Sequence, residues 1–170
     1  REHSCYFFIK ALLLNHNSKK FDIYCYSNVK FPDSKTSELK SICKNWIDIS
    51  LMENSEISEK IVDDEIDILV DLSGHTENNK LELFSFKLAP IQITWLGFPG
   101  SSGVKAIDYK LSDKWINPSN SQKYFSENIK YLNDSCHCYI PPEYQEIKKL
   151  PYISNSYITF GSFNNIAKIT

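Results

Sequence analysis

The sequence predicts an α/β fold built on a parallel sheet, and three observations carry that reading. Residues 67–73 (DILVDLS) hold Ile68, Leu69, Val70 and Leu72 in an almost continuous apolar run, the pattern of a central parallel strand covered on both faces. A second run at 91–96 (IQITWL) follows a helix-compatible stretch, so 67–97 reads as strand, loop, helix, strand. A right-handed crossover makes those two strands parallel neighbours. Upstream, strand-like and helix-like segments alternate, as an α/β layer architecture requires.

The elements follow in order. Residues 4–16 (SCYFFIKALLLNH) are apolar with polar breaks at Ser4 and Lys10, a helix packed on most of its circumference. Residues 21–27 (FDIYCYS) alternate and are rich in aromatic and Ile side chains, a strand. A short helix is expected at 36–44, a short strand at 46–50 and a helix at 55–65 entered through Ser55. After the strand at 67–73, which stops at Gly74, a helix is expected at 78–87, ended by Pro90 ahead of the strand at 91–96. Short strands at 109–113 and 129–132 flank a polar loop. Pro141, Pro142 and Pro151 mark a linker, and 157–163 (YITFGSF) is a further strand-like run. The change of composition puts a domain boundary near 150: a first domain at 1–150 whose own first strand is missing, then a linker and the truncated start of a second domain at 151–170.

Composition narrows the function. With 42% hydrophobic and 24% charged residues in 170, the chain can build a core, which excludes a disordered tail. Nineteen basic against 21 acidic residues give a net charge of −2, so no overall field draws it to nucleic acid or to anionic membrane. The five cysteines are an odd number, several of them inside apolar runs, which points to a reducing compartment. No apolar stretch approaches the roughly 20 residues a membrane span needs, and no signal peptide is evident. Asn133-Asp134-Ser135 is read as a chance glycosylation sequon.

In open α/β sheets ligands bind beyond the carboxyl ends of the strands, which gives two loops most weight. The first is Gly74-His75-Thr76. The second, Gly97-Phe98-Pro99-Gly100-Ser101-Ser102-Gly103, combines three glycines that let backbone amides approach a ligand with two hydroxyls that can bond its polar groups. No Lys-Ser or Lys-Thr follows in phosphate-loop register, and neither loop has the G-x-G-x-x-G register of a dinucleotide enzyme. Cys136-His137-Cys138 lacks zinc-site spacing and a second ligand pair, so no metal site is expected. Asp63-Asp64-Glu65 reads as a solvated corner, His16 and His137 as ordinary loop residues, and Trp95 as core.

These residues together resemble the catalytic region of the O-GlcNAc transferase and SPINDLY family. The resemblance runs through Gly74-His75-Thr76, Asn78-Asn79-Lys80-Leu81, Ala89-Pro90-Ile91-Gln92, Thr94-Trp95-Leu96-Gly97-Phe98-Pro99-Gly100, Ser101-Ser102-Gly103, Ile107-Asp108-Tyr109 and Asp113. It resumes at Phe160-Gly161-Ser162-Phe163-Asn164-Asn165 and Ala167-Lys168-Ile169-Thr170, and Arg1-Glu2-His3-Ser4 is similar to the family's histidine motif. It is weakest at 28–65 and 114–156.

The resemblance implies an α/β Rossmann-like amino-terminal lobe of a GT-B glycosyltransferase, followed by the first strand of the second lobe. It implies transfer of a sugar from a nucleotide donor to Ser or Thr hydroxyls of proteins in the cytoplasm or nucleus, with no metal and no cofactor beyond the co-substrate, UDP-GlcNAc or GDP-fucose. Lys168 falls on the family's essential lysine, where its charge would meet the departing diphosphate, and Asn165 on a neighbouring position that contacts the nucleotide. His3 falls on the family histidine discussed as base or acceptor-orienting group; an imidazole suits either task. Thr76, Leu96 and Gly97 match donor-sugar positions, while His75, Pro99, Gly100, Ser101, Ser102 and Gly103 would line the cleft. His75 stands where some members carry Tyr, so it shapes the cleft rather than moving a proton. The GHT-x-N-N-K-L string is closer to the SPINDLY branch, which includes GDP-fucose enzymes, and the loop with Gly100 leans toward UDP-GlcNAc enzymes. In the family, tetratricopeptide repeats precede this region and recruit acceptors, and the present stretch alone is not expected to turn over. A non-catalytic binding module of the same fold is the alternative of another class.

Overall fold

The computed structural model describes residues 3–141 and 146–163. The chain divides into two compact units, Arg1–Ile140 and Pro141–Thr170. In the first, α1 (Ser4–Asn15) leads to β1 (Tyr24–Ser27), α2 (Ser34–Ile42), β2 (Asn45–Asp48) and α3 (Asn54–Asp63). Then come β3 (Ile68–Asp71), the single turn α4 (Leu81–Phe84), β4 (Ile91–Thr94), β5 (Tyr109–Ser112), a 3-10 helix at Ser119–Tyr124 and β6 (Asn128–Tyr131). Every ladder is parallel: β1 pairs with β2, and β3, β4, β5 and β6 lie side by side in chain order. The parallel α/β architecture and the β3–β4 neighbour relation are those expected.

Local chemistry sets the ends. Asp33 caps α2, its carboxylate accepting from the Thr36 N–H at 2.9 Å while the Thr36 hydroxyl accepts from the Asp33 N–H, so α2 begins ahead of residue 36. Helix α3 starts at Asn54 rather than Ser55 because the Glu56 carboxylate reaches back to the Glu53 N–H at 2.8 Å. Ile57 and Ile61, one turn apart on α3, enter a core with Ile49, Leu69, Leu81, Leu83, Phe84, Ala89 and Ile107. Each such aliphatic side chain contributes about 1.5–3 kcal/mol through burial.

Three expectations are corrected. The helix at 78–87 shrinks to Leu81–Phe84, since Asn78 (φ +58°) and Lys87 (φ +53°) take left-handed backbone and the Asn79 side chain accepts from the Leu81 N–H in a turn. Strand β3 is not covered on both faces by the described residues. Leu69 and Asp71 are buried, but Ile68 is 46% and Val70 39% exposed. Residues 157–163 form no strand in the second unit, where Pro151 opens the short helix α5 (Pro151–Asn155) and Ser156 closes it at φ +59°. A strand is stabilised by its ladder, and no described segment pairs with this one.

The buried face of the larger sheet is polar at its carboxyl end. Asp71 pairs in register with Thr94, and Thr94 with Lys110, so these side chains form one row across β3, β4 and β5. All three are buried. Gln92, fully buried one pleat earlier, donates to the carbonyls of Phe84 and Ala106 and accepts from the Leu88 N–H, tying α4 to the sheet.

Candidate functional site

Three segments meet beyond the carboxyl ends of β3 and β4: the first turn of α1, the loop 72–76 and the loop 96–103. The Cys5 thiol donates to the Leu72 carbonyl at 3.8 Å, anchoring the start of α1 there. Gly97 packs so tightly against the Leu72 carbonyl and the Ser73 backbone that a Cβ would fall 2.2 Å from the Leu72 oxygen. Gly74, at φ +55°, leaves equally little room, 2.3 Å to Phe98 Cβ. The His75 ring meets the Phe98 ring edge-on at 5.3 Å.

Each loop is pinned to the sheet by a charged group. Asp71 accepts from the Ser73 and Gly74 N–H groups at 2.9–3.1 Å and from the Thr94 hydroxyl at 2.8 Å, which shapes the first loop. The Lys110 ammonium donates to the Phe98 carbonyl. Burial pulls its pKa down, and Asp71 and Glu127 act against that fall. Glu127, 1% exposed, accepts from the Ser102 N–H and the Ser101 hydroxyl, both at 2.7 Å, and from the Ser102 hydroxyl. Burial opposes its charge, but those serine bonds outweigh it and hold the carboxyl below its ordinary range.

The turn between β4 and the second loop is strained. The Gly97 N–H donates to the Trp95 carbonyl at 2.9 Å, closing a three-residue turn about Leu96, whose φ is +65°. A side chain there costs about 1–3 kcal/mol, and such strain gathers at functional loops.

The expected site residues fall as follows. Leu96, Gly97, Pro99, Gly100, Ser101, Ser102 and Gly103 lie on the second loop, and His75 and Thr76 on the first. His75 and Thr76 are exposed, with the Thr76 hydroxyl donating to the Ser73 carbonyl at 2.8 Å. Ser102 is buried and spends its hydroxyl on Glu127 and the Val104 N–H, so it builds the loop rather than facing solvent. His3 is exposed and caps α1, Nδ1 accepting from the Cys5 N–H at 3.3 Å, at the end of α1 that Cys5 ties to Leu72. Lys168 and Asn165 lie outside the described residues. Trp95 is buried as expected, its indole N–H donating to the Cys136 carbonyl at 2.7 Å.

Four residues that carry the site were not singled out from the sequence: Asp71, Lys110, Glu127 and Phe98. A signal existed for the first two, each a lone charge on a strand whose register places it inside. None existed for Glu127, whose partners are 25 and 26 residues away.

A second cluster lies at Asp113, whose carboxylate accepts from the N–H groups of Trp115 and Ile116 at 2.9 Å and of Cys136 at 2.8 Å. Those bonds, that of Cys136 foremost, hold the Asp113 carboxyl at about 2 against an ordinary 3.8. Burial, reinforced by that carboxylate, pushes the Cys136 thiol up to about 11. The potential ligand atoms of Asp113, Cys136 and His137 lie within 4.8 Å of one another, a closeness the spacing of 113 and 136 did not reveal. With both Asp113 oxygens committed to backbone donors, the cluster clasps the 136 segment to β5. The Asp113 carboxyl is depressed in the fold, so its contribution is complete above pH 4 and is lost as pH falls toward 2. Asp113→Asn is therefore expected to lower stability at neutral pH and to flatten its decline between about pH 4 and pH 2, checked by denaturant titrations across that range.

Comparison with known proteins adds to this geometry. The sequence profile described as Glycosyl transferase family 41 matches residues 2–150. A tomato (Solanum lycopersicum) protein described as "Probable UDP-N-acetylglucosamine--peptide N-acetylglucosaminyltransferase SPINDLY" is 39% identical over 173 aligned residues, which take in 99% of this chain and 19% of that protein. An Arabidopsis thaliana protein of the same description, but of the type named SEC, is 30% identical over 77% of this chain and 13% of its own length. Among solved structures, a mutant of the Thermobaculum terrenum O-GlcNAc transferase superposes with a TM-score of 0.81 at 32% identity, over 84% of this chain and 28% of that one. The chain thus spans about a fifth of the length of the SPINDLY relatives it matches.

Proposed function

Because the chain belongs to glycosyl transferase family 41, we propose that it is the amino-terminal catalytic lobe of a protein O-glycosyltransferase that moves GlcNAc from UDP-GlcNAc to Ser or Thr hydroxyls of protein acceptors in the cytoplasm or nucleus. The observation that carries the reading is the convergence of the first turn of α1, the 72–76 loop and the 96–103 loop at the carboxyl end of a parallel sheet, where such folds bind ligands.

Transfer needs an acceptor hydroxyl held in line with the sugar and stabilisation of the departing diphosphate as charge builds on it. In this reading Lys168 supplies that charge, in place of a metal, and Asn165 contacts the nucleotide. Leu96, Gly97 and Thr76 seat the donor sugar. His75 closes the side of the cleft through its contact with Phe98. His3 orients the acceptor; its ring nitrogen already serves the Cys5 N–H as a cap, which favours orientation over proton transfer.

The names borne by the SPINDLY and SEC relatives support the UDP-GlcNAc donor. The GHT-x-N-N-K-L string favours a second reading, a GDP-fucose enzyme of the same mechanism. Donor hydrolysis and peptide transfer by the intact protein separate them: turnover of UDP-GlcNAc is expected, whereas turnover of GDP-fucose alone would establish the second. Failure with both donors, while acceptor proteins still bind, would leave a non-catalytic module.

A further inference from the structure

Lys110 stands out among the buried charges as one that no step of the proposed transfer uses. Lysine is almost never fully buried, and its ammonium is costly to desolvate. Lys110 is nevertheless 3% exposed, in the middle of a parallel sheet, where an aliphatic side chain would meet every need of the strand. Its ammonium spans from β5 to the Phe98 carbonyl, inside the loop that follows β4. Phe98 in turn is, beside Gly97, a contact between the two loops, its Cβ against Gly74 and its ring against His75. The charge therefore acts at one of the contacts that set the relative placement of both loops.

We propose that Lys110 is a positioning residue for the nucleotide-sugar donor: through the Phe98 carbonyl it fixes the 97–103 loop in the conformation that receives the donor. The proposal rests on the glycosyltransferase reading above. Lys110 sits in the row Asp71, Thr94, Lys110, with Glu127 nearby, and neither carboxylate depends on the lysine for its hydrogen bonds, which go to loop N–H and hydroxyl groups. Removing it thus frees one loop carbonyl without unbuilding the sheet.

A structural role and a positioning role predict different outcomes. Removing one buried charge while the facing carboxylates Asp71 and Glu127 stay in place costs stability, so a lowered melting temperature alone does not separate the two roles and the donor KM does. Lys110→Met in the intact protein is accordingly expected to remain folded with a lowered melting temperature, while the KM for the donor, measured well below that temperature, rises about tenfold, the scale of one lost charge-assisted hydrogen bond. Lys110→Arg, which keeps a charged donor, is expected to recover most of that rise. The experiment compares donor KM, kcat and melting temperature for the three proteins, with binding of UDP and GDP measured by calorimetry.

A donor KM for Lys110→Met within twofold of wild type overturns the proposal. So does a fall in kcat that tracks a fall in melting temperature with KM unchanged, or equal impairment of the Met and Arg variants. If the wild-type protein neither transfers sugar nor binds either nucleotide, the underlying functional reading fails and this proposal falls with it. Wild-type transfer with an indifferent Met variant removes this proposal alone.

Discussion

Gly97→Ala is expected to cost about 3 kcal/mol or more of stability and to lower the melting temperature by about 6–12 °C. The added Cβ would lie 2.2 Å from the Leu72 carbonyl oxygen and 2.6 Å from Ser73 Cα. Both are backbone atoms, so no side-chain rotation relieves the overlap. Relief requires the two strand-end loops to separate, and their junction is the centre of the proposed donor site. Transfer by the intact protein should fall with stability. Gly103→Ala is the internal comparison: it carries the same added methyl at φ +71° with no atom within 4 Å, so only the backbone penalty of about 1–3 kcal/mol remains. Thermal and denaturant unfolding of the two variants check the difference. Equal effects would mean that the close approach of Gly97 to Leu72 and Ser73 is not what the site depends on.

Lys168→Ala in the intact protein is expected to lower the transfer rate about 10²- to 10³-fold, the range seen when one preorganised donor to a developing negative charge is removed. The loss should fall mainly on kcat, because charge on the diphosphate grows as the bond to the sugar breaks. Circular dichroism and melting temperature should stay at wild-type values. A variant that transfers at the wild-type rate would take Lys168 out of the mechanism. A wild-type protein without turnover whose Lys168→Ala variant loses nothing in acceptor binding would support the module reading instead.

The parallel sheet was legible because apolar strands and crossover-length connections repeat in order, a pattern with few topological solutions. The two strand-end loops were legible for the same reason, since the ends of successive parallel strands lie at one edge of the sheet. Less legible was the extent of α4, where Asn78 and Lys87 step into left-handed backbone that helix periodicity does not register. The expected two-sided cover of β3 rested on counting Ile68 and Val70 as interior, yet the strand turns Asp71 inward and leaves those two partly exposed. Glu127 was invisible because its contacts with Ser101 and Ser102 join segments about 25 residues apart, and no local pattern encodes such a meeting. In the sequence Phe98 is only part of its loop, and packing shows that it links the loops.

The row of Asp71, Thr94 and Lys110, with Glu127 beside it, has one more implication. Loops that must organise around a ligand lose conformational freedom when it arrives, and affinity suffers accordingly. Here the sheet itself holds loop amides, hydroxyls and a carbonyl in place, so most of that disorder is removed when the polypeptide folds. A donor bound at the proposed site would then enter as a key enters a cut lock rather than as a hand closes, and selectivity there would lie in shape fixed in advance.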